Sequence, residues 1–176
     1  MKYFKKLEGE KIYLSPVNVD DAETYVKWLN DMNIAKYLTI YNSLISMTGE
    51  RSFLENESTK EFMLAIVRKE DDLLLGNIGL DNIDYKNGQA TLGIFIGEED
   101  NLSKGYGSEA IKLIICYAFE ELRLHNINLN VFDDNIRAQK AYAKCGFVEC
   151  GRRHDALYRN GKYHDEIMME IINPNI

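Results

Sequence analysis

Residues 92–110, LGIFIGEEDNLSKGYGSEA, hold the residue types and spacing in this chain best suited to chemistry. Leu92, Ile94, Phe95 and Ile96 form an apolar run that predicts a strand. An acidic loop follows, then Lys104-Gly105-Tyr106-Gly107, then Ser108-Glu109-Ala110 at the start of a long apolar-faced helix. A strand, a glycine-containing loop and a helix N-terminus in that order suit a phosphate. Glycine admits unusual dihedrals and close approach, and the first N–H groups of a helix lack carbonyl partners and point at the ligand.

Two nucleotide patterns can be weighed against this stretch. The P-loop pattern GxxxxGK[ST] fails on spacing, because Lys104 precedes its glycines. Gly105-x-Gly107-x-x-Ala110 satisfies the loose dinucleotide pattern GxGxx[GA]. A charged loop, not a tight turn, lies between residue 97 and Gly105, and the preceding strands read as antiparallel. The dinucleotide fold wants a tight turn in a parallel sheet.

The elements that must position this loop can be located from periodicity and turn signals. Residues 11–16 alternate as a strand ended by Pro16. Asn18 or Asp20 can cap a helix to about Asn30, with Ala22, Tyr25, Val26 and Leu29 on one face. A short helical turn is expected over 34–38, an irregular polar segment over 41–46, and a helix from Ser46 or Thr48 through Leu54. Strands are expected at 61–68, 73–83 and 89–96, the last two joined by Asn87-Gly88, a strong hairpin signal. A helix then covers 106–122, with Ala110, Ile111, Ile114, Ile115, Ala118, Phe119 and Leu122 at helical spacing. A strand over 127–131 comes next, then a helix over 136–145 capped by Asp134 or Asn135 and ended by Gly146. Strands at 147–158 and 163–171 flank a second hairpin signal, Asn160-Gly161. The order implies a mixed α/β fold with an antiparallel N-terminal half. The strand–helix–strand unit from residue 92 to 131 can supply one parallel pair, since that crossover needs a helix.

A chain of 176 residues is expected to form one domain over 1–176. A net charge of −7 argues against a nucleic-acid or anionic-membrane partner and suits a cationic substrate. Cys116, Cys145 and Cys150 are odd in number and lack CxxC spacing, so reduced thiols and a cytoplasmic location are the expectation, with Cys116 in the core. The N-terminus MKYFKKLEGEK has no apolar signal core, and no run approaches the length of a membrane span. His125, His154 and His164 are scattered without metal-ligand spacing and are expected at the surface or at strand ends, so no metal is expected.

The ordered set LGIFIG, KGYGSEA, NINLNVFDDNIRAQKAYAKCGF and RNGKYHDEIMME resembles the GNAT superfamily of acyl-CoA-dependent N-acetyltransferases. It is most similar to the branch holding ribosomal-protein-alanine and spermidine acetyltransferases, and KIYLSPVNVDDAETYVKWLND resembles that branch's first strand and helix. The resemblance spans nearly the whole chain. It implies a single-domain α/β fold with a mostly antiparallel sheet flanked by helices and two splayed central parallel strands. It implies acetyl-CoA as co-substrate, its pyrophosphate on the backbone of Ser103, Lys104, Gly105, Tyr106, Gly107 and Ser108. The pantetheine arm is expected along the strand end at Phe95, Ile96 and Gly97 and against Asn135 and Ala138. Tyr142 is similar to the family's general acid. The family loop reads Gln/Arg-x-x-Gly-x-Gly/Ala, whereas Leu102 stands three before Gly105 here, so a side-chain contact from that position is not expected.

The implied reaction needs a neutral amine, a donor for the carbonyl oxygen and a proton for the leaving thiolate. A backbone N–H near Ile96 is expected to serve the oxygen. A phenol of pKa about 10 suits the proton, and an alkyl ammonium of pKa about 10.4 must lose one first. Residues 90–97 contain no carboxylate, so the amine proton is expected to leave by water, with Asp81 or Asp84 as candidate helpers. Residues 31–57 and 155–166 are the irregular parts expected to build the acceptor side. Trp28 reads as core or pocket wall, and Tyr37, Tyr41, Tyr158 and Tyr163 as candidate pocket residues. The expected acceptor is a primary amine on a protein N-terminus, polyamine or amino sugar. The competing reading is a GNAT-like module that holds an acyl-CoA without turnover. The apolar C-terminal strands that end the sheet are compatible with a homodimer.

Overall fold

Turn residues delimit the strands. At the second hairpin Asn160 and Gly161 both take positive φ, 52° and 81°, as a two-residue turn of that hand requires. At the first, the Asp84 carboxylate accepts from the N–H groups of Lys86 and Asn87 and from the Asn87 side chain, which closes the loop. The computed structural model describes residues 2–59 and 62–175. Its strands are β1 (Leu7–Glu8), β2 (Ile12–Pro16), β3 (Met63–Arg68), β4 (Leu74–Asp84), β5 (Gln89–Ile96), β6 (Asn126–Phe132), β7 (Val148–Arg159) and β8 (Lys162–Ile172). Its helices are α1 (Ala22–Leu29), α2 (Met32–Ala35), α3 (Met47–Glu57), α4 (Tyr106–Glu120) and α5 (Ile136–Lys144). Glu61, the expected start of the third strand, lies outside the described residues. Strand β1 and a 3-10 turn at Glu99–Asn101 have no counterpart among the sequence expectations, because two or three residues leave no periodicity.

The fold is mixed α/β, with strand order β1-β2-β3-β4-β5-β6-β8-β7. Among the described pairings only β5 with β6 is parallel, and its register runs from Gln89↔Asn126 to Thr91↔Asn128. Pairing thus stops five residues before β5 ends. The chain divides into two compact units, Met1–Gly79 with Ile94–Leu113 and Leu80–Gly93 with Ile114–Ile176.

In the first unit, β2, β3 and the start of β4 pair antiparallel and bury one face under α1 and α3. Tyr13, Tyr25, Trp28, Leu54, Ala65 and Val67 form the centre of that core. Asn18 caps the entry to α1 by accepting from the Asp20 N–H, Asp31 caps α2 and Ser46 caps α3. Asn30, just past α1, bonds both the N–H and the carbonyl of Ile45, which fastens the polar segment between α2 and α3. The first turn of α4 is tied down by Glu109, whose carboxylate accepts from the Lys11 N–H at 2.9 Å.

In the second unit, Asn128 knits the last parallel pair. Its Nδ2 donates to the Ala90 carbonyl, and the Thr91 hydroxyl donates to its Oδ1. The carbonyl of Gly88 accepts from His125 and Asn126, which sets where β6 begins. Strand β8 pairs antiparallel with β6 over seven residues and with β7 through two irregularities. Gly146, at φ 99°, ends α5.

One close contact in the first unit fixes the end of β5. A β-carbon at Gly97 would lie 2.1 Å from Cδ2 of the Trp28 indole, so only glycine lets α1 and the strand end meet at this distance. Trp28 also meets Phe95 edge-on, with ring centroids 5.7 Å apart. Gly97→Ala is expected to cost about 1–3 kcal/mol, as overpacked cores do. Thermal denaturation will show a fall in Tm of several degrees. The double variant with Trp28→Leu should lose less than the sum of the two single changes.

Candidate functional site

The loop after β5 is shaped by two residues with left-handed dihedrals on either side of Lys104. Ser103 has φ 60° and Gly105 has φ 91°. Such a reversal turns successive N–H groups toward one concave side, the geometry that holds anions. The first helical bond of α4 runs from the Glu109 N–H to the Gly105 carbonyl at 3.0 Å, so the N–H groups of Tyr106 and Gly107 precede the helical ladder. Ser103, Lys104 and Gly105 are exposed. The two glycines differ in purpose. A β-carbon at Gly105 would meet no protein atom within 4 Å, whereas one at Gly107 would face the side chains of Ile94 and Ile96 at 3.8 and 3.9 Å. A side chain at Gly107 would make ordinary contact with the strand, whereas Gly105, at φ 91°, serves the turn itself.

The strand end offers its backbone selectively. The Gly97 N–H donates to the Leu75 carbonyl of β4 at 2.8 Å. The Phe95 carbonyl also points that way, since a β-carbon on Gly76 of β4 would lie 2.0 Å from it. Successive peptide groups of an extended strand face opposite edges, so the Ile96 N–H and carbonyl face away from β4. Of the three residues expected to expose backbone, Ile96 alone does so by this alternation. Phe95 and Gly97 turn their side-chain positions to the aromatic cluster of Tyr25 and Trp28.

Asn135, Ala138 and Tyr142 lie in the second unit. Asn135 is the N-cap of α5, and its Oδ1 accepts from the Ala138 N–H at 3.3 Å, which leaves its Nδ2 as a donor. Tyr142 is 8% exposed and meets Phe147 edge-on at 6.0 Å. Burial, then the nearby Cys145 thiol, push its phenol up to about 12. The loop leading into α5 is held by two buried residues of the β7–β8 hairpin. His164 Nδ1 bonds Asp133 at 2.8 Å, and the Arg159 guanidinium bonds Asp134 and lies over the Phe132 ring. The pairing with His164 holds the Asp133 carboxyl below its ordinary range against the opposing effect of burial. Asp133, Asp134 and His164 have the spacing of a metal cluster, but their facing atoms already serve these bonds.

Several sequence expectations change here. Of the two expectations for His164, surface or strand end, the strand-end one holds: it is the third residue of β8 and points inward at 3% exposure. Cys116 is exposed, not core. It falls outside the stripe of Ile111, Ile114, Ile115 and Ala118, and the bond its thiol donates to Glu120 raises its pKa. Asp84 is engaged by the hairpin turn, and its bonds from Asn87 lower its pKa, the wrong direction for a base. Tyr158 and Tyr163 are exposed and pack on each other at 5.0 Å. Trp28 is core, as one of its two expected readings has it. Glu50 of α3 is absent from the sequence expectations. It is 5% exposed, burial raises its pKa, and its charge acts on Tyr25. Its helix is mostly polar, so no apolar face in the sequence marks it as inward.

A family model described as acetyltransferase (GNAT) domain matches residues 11–148. The putative ribosomal N-acetyltransferase YdaF of Bacillus subtilis (strain 168) is 34% identical over 90% of this chain and 84% of its own length. The spermidine N(1)-acetyltransferase of Vibrio cholerae is 32% identical over 76% of this chain and 69% of its own. The fold matches the crystal structure of spermidine N-acetyltransferase from Vibrio cholerae in complex with CoA and spermine, with TM-score 0.82 and 24% identity over 93% of this chain and 96% of that one. No described helix is long and apolar enough to cross a membrane. Most of the length falls within the family model, and a relative one-third identical covers nine-tenths of it, so the chain belongs to the GNAT family and is an N-acetyltransferase that uses acetyl-CoA as co-substrate.

Proposed function

We propose that this enzyme acetylates a primary amine borne by a protein N-terminus, a polyamine or an amino sugar, by direct attack of the amine on the thioester. The observation that carries the reading is the early end of β5–β6 pairing followed by the Ser103–Lys104–Gly105 reversal. That sequence of features offers strand backbone to an amide-bearing arm and then a concave set of N–H groups to a pyrophosphate. The acidic chain, with net charge −7, suits a cationic acceptor. The two relatives named above act, by their names, on ribosomal protein and on spermidine, so both protein and polyamine acceptors remain in play.

Bound acetyl-CoA supplies an acetyl thioester, whose C–S bond breaks as the amine nitrogen forms the new C–N bond. The N–H groups from Ser103 to Ser108 cradle the two phosphates, and Lys104 adds a positive charge. The Nδ2 of Asn135 donates to the arm while its Oδ1 caps α5. The Ile96 N–H donates to the carbonyl oxygen as that oxygen gains charge. The Tyr142 hydroxyl faces the sulfur as a donor. With its phenol near 12 it stays protonated at neutral pH. Full transfer to a thiolate is uphill for so weak an acid, so its contribution is hydrogen-bond donation, and the phenol keeps its proton. An ammonium acceptor sheds two protons in becoming the amide: the first leaves to water before attack, and the second, released as the C–N bond forms, reaches the thiolate sulfur by water.

Tyr142→Phe should lower kcat by roughly a hundredfold with KM for acetyl-CoA within about twofold, read as CoA release with a thiol reagent. Full turnover at saturating substrate would remove the donor role. The wild-type kcat/KM should rise with pH as the acceptor loses its proton, with no alkaline loss up to about pH 10. A phenol near 12 is still protonated there. Gly105→Ala, which strains a left-handed turn, should weaken CoA binding in calorimetry, whereas Gly107→Ala should change it little. An amine panel of spermidine, an alanine-led peptide and glucosamine decides the acceptor by which one releases CoA.

A further inference from the structure

Two groups in the first unit are costly to bury and find no partner in the fold, and they lie together in the seam between α1 and α3. Glu50 is 5% exposed and makes no side-chain hydrogen bond or ion pair among the described residues. Burial alone raises its carboxyl above the ordinary range. The Tyr25 hydroxyl is buried and has no hydrogen-bond partner among the described residues either. Glu50 acts on that phenol through its charge, as do Asp21 and Tyr3. Buried polar groups are nearly always paired in folded proteins, so each exception calls for a reason.

The surroundings decide what would pair with them. Of the two carboxylates near the phenol, Asp21 is already met: the Tyr3 hydroxyl donates to both its oxygens, and Lys2 forms an ion pair with it. No cation meets Glu50 among the described residues. An ionised carboxylate only accepts, and a phenol oxygen can accept, so the fitting partner is a donor with positive charge. One carboxylate and one phenol are too few for a hard metal cation, which takes about six oxygens or more. Met47 and Phe53, three residues before and after Glu50 on α3, are exposed apolar side chains on the same side of the helix. Residues 46–49 and 51–53 are all exposed, so the carboxylate lies just beneath the helix surface. An acidic spot flanked by apolar side chains matches a hydrocarbon chain that bears an ammonium.

We propose that Glu50 and the Tyr25 hydroxyl bind the second ammonium group of a polyamine acceptor. The proposal rests on the reading that the chain acetylates a primary amine. The Tyr25 ring lies 6.3 Å from the ring of Phe95, the residue before Ile96, whose N–H serves the carbonyl oxygen in that reading. A nitrogen at Glu50 is therefore an aromatic side chain away from the strand end. It is not the nitrogen that reacts, so the acceptor needs a further cationic group, which a polyamine has and a monoamine lacks. A bound ammonium also offsets the cost of burying the carboxylate. Groups that weaken the fold and serve a ligand are the usual form of a conflict between stability and activity.

Glu50→Gln keeps the shape and removes the charge, and Tyr25→Phe removes only the hydroxyl. CoA release is compared for spermidine and butylamine, which share a primary alkylamine and differ in the further ammonium groups. Wild type should favour spermidine at least tenfold in kcat/KM. Glu50→Gln should lose most of that preference through a higher KM for spermidine, with KM for acetyl-CoA within about twofold of wild type. Tyr25→Phe should lose a smaller part. The Tm of both variants should stay level or rise, since each removes a buried group that has no partner. A preference that survives in Glu50→Gln, no preference in wild type, or a fall of several degrees in Tm overturns the proposal and leaves acetyl transfer standing. Release with an alanine-led peptide but with neither alkylamine does the same. If no amine releases CoA, the reading of the chain as an amine acetyltransferase fails and takes the proposal with it.

Discussion

Parallel pairing of β5 with β6 is the constraint on which the rest depends. Two antiparallel strands can be joined by a tight hairpin, but parallel neighbours need a crossover long enough to return the chain. Here the crossover is the loop of residues 97–105 and helix α4. The left-handed turn at Ser103 and Gly105 and the start of α4 are both parts of that return path. The pairing is also brief, three residues against seven for β6 with β8. Toward its C-terminal end β5 therefore has one backbone edge held by β4 and the other turned away from it.

Much of this was legible in the sequence. The hairpin dipeptides, the helix caps at Asn18, Ser46 and Asn135, and the switch from alternating to helical spacing near residue 106 locate the elements within a few residues. Local chemistry decides those features, so local reading finds them. Which neighbour a given group meets depends on tertiary contacts, and there the sequence is a coarser guide. The residues from Phe95 to Gly97 look equivalent as donors, yet alternation gives Leu75 the Gly97 N–H and leaves Ile96 facing outward. Gly107 reads as a phosphate glycine, and the sequence does not show that its side-chain position faces Ile94 and Ile96. Cys116 shares an apolar run with core residues but falls on the outer side of the helix. Family membership is carried by the whole ordered set of motifs, since none of the pieces is specific alone.

The approach to α5 illustrates how charge can be used for placement. Asp133 and Asp134 would repel each other and the acidic chain around them. His164 and Arg159, both nearly excluded from water, hold one carboxylate each. A buried guanidinium left alone would be strongly unfavourable, so the hairpin that carries Arg159 and the loop that carries Asp134 need one another. The Asn135 cap begins immediately after these bonds, and the helix that carries Tyr142 inherits its starting direction from them. Scattered histidines and aspartates in the sequence give no hint of this, because the partners lie about thirty residues apart.

The buried phenol of Tyr142 has a kinetic consequence for acceptor choice. In the proposed mechanism, with that group protonated at neutral pH and no carboxylate in β5, the protonation state of the incoming amine governs how much of it can attack. An α-amino group of pKa near 8 is about one-tenth neutral at pH 7, whereas an alkyl amine of pKa about 10.4 is neutral in roughly one molecule per two thousand. Intrinsic basicity alone then separates the two kinds of acceptor by a factor of a few hundred in reactive form. Both kinds of acceptor arrive mostly protonated, and the chain-terminal amine carries by far the larger neutral fraction. Selection between them thereby begins in solution, before shape or charge in the protein has any say.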